Sequence, residues 1–78
     1  MFKKIIDIIA DKLTLTEEQI DKIALETNIV DDLNADSIAI VEIAMDIEEK
    51  LGVYVPDEDI PTLKTVKDIV DYVESRQA

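Results

Sequence analysis

Little in this sequence can carry out covalent chemistry unaided. It contains no cysteine and no histidine, which removes thiolate nucleophiles and the commonest general base. The side chain whose setting stands out is Ser37, placed at the mouth of the most apolar stretch in the segment DDLNADSIAIVE (31–42). A nucleophilic serine needs a base within hydrogen-bond reach. The nearest lysine in sequence is Lys50, about three to four turns further along the predicted helix. Ser37 therefore cannot arm itself. Two readings stay open: a helix cap, the usual job of a serine at a helix start, or a hydroxyl that another protein modifies.

The same segment offers a cation pattern. Asp32, Asn34 and Asp36 are spaced like the first three ligands of a calcium loop, but such a loop needs glycine at its sixth position and a bidentate glutamate at its twelfth. Those places hold Ser37 and Ile43, with Glu42 one residue out of register. No specific metal site is expected. Weak cation binding to crowded carboxylates stays open.

Charge gives the next clue. Nineteen acids against eight bases leave a formal net charge of −11. Nucleic acid and anionic membrane surfaces are disfavoured, since both need a basic footprint. A basic protein surface is the natural counterpart, with association steered by charge. From Ile23 to Glu49 there are eight acids (Glu26, Asp31, Asp32, Asp36, Glu42, Asp46, Glu48, Glu49) and no base. A solvated face is the simple account of such a run. The helix dipole rewards Asp36 and Glu42 by roughly 0.3–1 kcal/mol each, which does not call for eight. The surplus predicts a docking surface.

The elements that must hold these residues follow from periodicity. A chain of 78 residues makes one domain, 1–78, and buries roughly 60% of its unfolded surface. It is 47% apolar but only 4% aromatic, so aliphatic packing carries the core. Phe2, Ile5, Ile6, Ile9 and Leu13 define an amphipathic helix. Asp7 and Asp11 break its apolar run, which argues against a secretory signal and for a cytoplasmic protein without stable membrane insertion. TEEQ at 16–19 fits a capping box and a short helical turn. Residues 22–35 read as a long ordered loop pinned by Leu25, Ile29, Val30 and Leu33, with positive φ expected at Asn34.

Residues 37–51 form the strongest helix. Ile38, Ile40, Val41, Ile43, Ala44, Met45, Ile47 and Leu51 cover more than half its wheel, which predicts a central helix buried against more than one neighbour. Gly52 supplies a stop. An extended stretch follows, with at most one helical turn before Pro61. Thr65 caps a last helix whose core positions are Val66, Ile69, Val70 and Val73. The expected fold is all-α: a small four-helix bundle with three main helices, one short third helix and a long first loop.

DDLNADSIAIVEIAMDIEEKLGVYVPDEDI resembles the phosphopantetheine attachment region of acyl carrier proteins, especially the free-standing bacterial type. The likeness runs over the whole chain, to the T-V-x-D-I-V-D-Y of the last helix. It implies a carrier and not an enzyme. Ser37 would bear 4'-phosphopantetheine, installed from coenzyme A by a separate phosphopantetheinyl transferase, with a growing fatty acyl chain held as a thioester on the terminal thiol. That agrees with a chain lacking its own thiol and base. The resemblance also implies that Asp36, Ile38, Glu42, Met45, Glu48, Glu49 and Asp57 meet the basic surfaces of the transferase and of fatty acid synthesis enzymes. Ile29, Val41, Ile43, Met45, Ile47, Val55, Ile60 and Leu63 would line a groove for the acyl chain, although each taken singly is as well explained as core. A monomer is expected.

Asn34 stands where the family usually has glycine, Ile38 for leucine and Ala39 where many members have an acid; Pro61 shortens the third helix. Other acyl cargoes (polyketide, aminoacyl, specialised lipid) remain alternatives. So does an unmodified acidic helical protein that binds partners or cations.

Overall fold

The computed structural model describes residues 2–76. Four α-helices occur in the order α1 (Phe2–Leu13), α2 (Glu17–Asp21), α3 (Ser37–Leu51) and α4 (Val66–Arg76), with a 3-10 turn at Ile60–Thr62 between the last two. The architecture is the expected helical bundle. The short third helix is the 3-10 turn, and the turn predicted at TEEQ becomes α2.

Local chemistry sets the boundaries. Thr16 Oγ1 accepts from the Gln19 amide at 3.2 Å while Gln19 Oε1 accepts from the Thr16 amide at 2.8 Å, closing the capping box of α2. Gly52 takes the left-handed conformation, φ 70°, and its amide donates to the Glu48 carbonyl, ending α3. Thr65 Oγ1 accepts from the Asp68 amide, and the Asp68 carboxylate accepts from the amides of Thr65 and Lys64, which opens α4. Asn34 has φ 58°, as predicted; Thr14, at φ 53°, was not foreseen. The turn at Ile60–Thr62 contains Pro61 rather than stopping before it, because proline sits in the first turn, where its missing N–H has no partner to lose.

The core is aliphatic. Ile5 and Ile9 of α1, Ile29 of the long loop, Ile43 and Ile47 of α3, and Val66, Ile69 and Val73 of α4 are fully buried. Helix α1 packs on both α3 and α4. The loop is tied to the start of α4 by an isolated bridge, Asn28 with Thr65, and by the Ile29 amide donating to the Lys64 carbonyl at 2.8 Å.

Three expectations need correcting. Helix α3 is not buried around most of its wheel: Ile38 is 68% exposed, Met45 61% and Val41 41%, because its neighbours cover only the side carrying Ile43, Ala44 and Ile47. Asp46, placed by its charge on the solvated arc, is buried instead, with Lys12 Nζ 3.4 Å from one carboxylate oxygen and Lys50 Nζ 3.4 Å from the other. In the loop, Ile29 is buried and Leu33 half-buried, whereas the side chains of Leu25 and Val30 are exposed rather than pinned in the core. No helix among the described residues is long and apolar enough to cross a membrane.

Candidate functional site

The approach to Ser37 is built by short-range hydrogen bonds. Asn28 Oδ1 accepts from the amides of Val30 and Asp31 at 2.9 Å each, and Asp32 Oδ2 accepts from the Asn28 amide at 2.9 Å. The chain then reverses through Asn34, and the Ala35 amide donates to the Ile29 carbonyl at 2.9 Å. That bond delivers Asp36 in an extended conformation, φ −86° and ψ 177°, to the head of α3.

Asp36, not Ser37, is the cap. Its Oδ1 accepts from the Ala39 amide at 2.7 Å. Ser37 is the first helical residue, exposed, and its hydroxyl makes no hydrogen bond among the described residues. The cap reading of Ser37 is overturned for a simple reason: aspartate caps as well as serine does, and it comes first in the chain. With Asp32 and Asp36 both accepting from backbone amides, the calcium-like spacing is used for turn and cap bonds. Among the described residues no group of three acids is gathered to hold a metal.

A cleft of about 580 Å³ opens beside Ser37. Its walls are Val30, Ile40, Val41, Ile60, Pro61 and Leu63, and its polar rim is Asn28, Asp31, Ser37, Asp57 and Lys64. Three of the expected groove residues, Val41, Ile60 and Leu63, are on the wall. Ile29, Ile43, Ile47 and Val55 are core residues that do not line it, and Met45 lies on the exposed face of α3. Periodicity marks Ile43 and Ile47 as apolar but cannot tell core from cavity wall, and Ile29 and Val55 lie outside the helices. Ile40 could have been found, since it follows Ser37 by three positions and so shares its helix face. Val30, Pro61 and Lys64 reach the cleft only through tertiary packing.

The surface around the cleft is acidic and apolar at once. Asp36, Glu42, Glu48, Glu49 and Asp57 are exposed, as are Ile38 and Met45. Ile38, Glu42, Met45 and Glu49 recur at three- or four-residue intervals, so one face of α3 presents them together. Asp46 does not belong to that face. Lys64 is the base on the rim of the cleft, whereas Lys50 is engaged with Asp46.

A family model described as phosphopantetheine attachment site matches residues 3–73. An acyl carrier protein of Clostridium perfringens is 49% identical over 73 residues, covering 94% of this chain and 92% of that one. The chain belongs to the acyl carrier protein family. Solved structures agree on the fold. Acyl carrier protein from Enterococcus faecalis matches with a TM-score of 0.79 at 34% identity, over 97% of this chain and 92% of that one. A candidate acyl carrier protein from Anaplasma phagocytophilum matches at 0.88 and 31%, over 99% and 88%.

The prosthetic group of the family is 4'-phosphopantetheine, and the residues present suit it. The amides of Ser37 and Ile38 have no acceptor among the described residues and point from the start of a 15-residue helix, a favourable place for a phosphate. The adjoining cleft is lined mainly by aliphatic side chains.

Proposed function

We propose that Ser37 is the attachment residue and that this chain carries growing fatty acyl chains among the separate enzymes of fatty acid synthesis. One arrangement supports the reading above all others: an exposed, unbonded hydroxyl at a helix start, opening directly onto an aliphatic cleft. Attachment would form a bond from Ser37 Oγ to phosphorus as the pyrophosphate bond of coenzyme A breaks and adenosine 3',5'-bisphosphate leaves. The proton leaves Oγ to a base on the transferase, because among the described residues no group of this chain is bonded to it. When bound, the group supplies a thiol on a flexible arm, which holds the acyl chain as a thioester.

The chain's own residues do the rest. Asp36 holds the first turn of α3 rigid, so Ser37 meets the transferase in one orientation. Asp36, Glu42, Glu48, Glu49 and Asp57 steer basic surfaces toward it, and Ile38 and Met45 give apolar contact once they dock. Val41, Ile60 and Leu63 shelter the acyl chain from water. The chain breaks no bonds itself. A monomer in the cytoplasm is the working state.

Co-expression with a broad-specificity phosphopantetheinyl transferase, followed by intact mass measurement, tests the reading. The protein should gain one phosphopantetheinyl group, and Ser37→Ala should gain none. An unchanged mass for the unaltered protein would overturn it. The acyl species found on the protein in its own cells then separate fatty acyl cargo from polyketide or aminoacyl cargo.

A further inference from the structure

The outer wall of the cleft is a strap. Between buried Val55 and buried Leu63, the backbone hydrogen bonds of residues 56–62 among the described residues run only among themselves and with Leu63 and Lys64 at the end. Asp59 bonds back to the Pro56 carbonyl, Ile60 to Asp57, Thr62 to Asp59 and Leu63 to Ile60. These bonds give the strap a shape but do not fix its distance from the rest of the molecule. The middle of the strap is fastened by side chains. Tyr72 Oη of α4 donates to Asp59 Oδ2 at 2.7 Å, a short charge-assisted bond. Arg76, the chain's single arginine, lies 3.7 Å from the same oxygen, with its guanidinium 4.4 Å from the centre of the Tyr72 ring.

We propose that Asp59, Tyr72 and Arg76 form a tie that sets the position of the cleft's outer wall, and with it the length of acyl chain the cleft shelters. This rests on the carrier reading above. Asp59 immediately precedes Ile60 and Pro61, which line the cleft, so a fixed Asp59 fixes the wall. The opposite wall, Ile40 and Val41, belongs to a helix packed against α1 and cannot retreat as easily. Any widening must come from the strap. Of the three, Tyr72 and Asp59 hold the wall, while Arg76 orients the ring and supplies counter-charge; exposed ion pairs contribute little by themselves.

The test uses the phosphopantetheinylated protein loaded with saturated acyl chains of increasing length. In Tyr72→Phe, which keeps the ring, amide exchange at Leu63 should rise about tenfold, the loss of one hydrogen bond, with the amides of α3 unchanged. Asp59→Ala should do the same. Methyl resonances of Val41, Ile60 and Leu63 should stop responding at a shorter acyl length in the unaltered protein than in either variant. A tie with a merely structural role would change melting but leave that limit where it was, and an unmoved limit overturns the proposal. If no acyl chain shifts those methyls even in the unaltered protein, the sheltering reading itself fails and the length claim falls with it.

Discussion

Asp36 and Ser37 split two tasks that one residue often combines at a helix start. Asp36 takes the capping bond to Ala39 at 2.7 Å, which leaves the Ser37 hydroxyl uncommitted and exposed. Replacing Asp36 by alanine should lower unfolding free energy by about 1 kcal/mol, the usual worth of a cap. Asp36→Asn should keep most of that stability and slow association with basic partners. Urea melts of the two variants check the first part, and equal losses in both would show that charge, not the cap bond, was responsible. Tyr72 supplies a second prediction at this scale. Burial raises its pKa above the ordinary 10.0, the hydrogen bond to Asp59 raises it further, and Arg76 opposes both. Folding therefore favours the protonated phenol. That contribution is complete below the unfolded value near 10 and is lost as pH climbs through the raised folded value. The melting temperature of the unaltered protein should fall more steeply above that pH than that of Tyr72→Phe; superimposable profiles would contradict this.

At the scale of elements, α3 has two apolar sides with different purposes. Ile43, Ala44 and Ile47 face the core, while Ile38, Val41 and Met45 face outward. A helical wheel scores both alike, since an apolar residue waiting for a partner or a cargo has the same side chain as one packed already. That is why the sequence overstated the burial of α3 but placed its stop correctly: Gly52 acts through a bond within a few residues, whereas the cap fell to Asp36 and not to Ser37. Thr16, Asn34 and Thr65 were readable for the same reason. Asp46 was not, because its partner Lys12 comes from α1 and only packing brings them together. The pairing makes an asymmetric prediction. The Asp46 side chain is 9% exposed against 28% for Lys12 and 55% for Lys50. A carboxylate stranded there cannot reach water, whereas a stranded lysine can extend its amine outward. Removing both amines (Lys12→Ala with Lys50→Ala) should cost about 2–4 kcal/mol. Asp46→Leu should cost under about 1 kcal/mol. Thermal unfolding ranks them, and the reverse order would refute the account.

On the scale of the whole molecule, the fold was more readable than the site. Three long amphipathic segments and their caps dictate a bundle almost regardless of detail, but the cleft exists only where α3 meets the strap at 56–62, the Leu63 and Lys64 that follow it, and the loop at 28–31. No local signal encodes that meeting, so Val30, Pro61 and Lys64 surface only in three dimensions. Global charge, in contrast, is fixed by the sequence alone, and it predicts how the protein responds to salt. The molecule measures 32 × 23 × 20 Å and carries a net charge of −11. At about 0.01 M ionic strength the screening length, ~30 Å, spans it, so every acid repels every other; at ~0.1 M the length shrinks to ~10 Å and only neighbours interact. Melting temperature should therefore climb with sodium chloride, with most of the gain achieved by ~0.1 M. Over the same range association with basic partner enzymes should slow, because steering is screened by the same ions. A melting curve indifferent to salt would mean that the acids are spaced widely enough not to matter. A rise confined to molar concentrations would point to salt exclusion from apolar surface instead, and the acidic face would then owe nothing to self-repulsion.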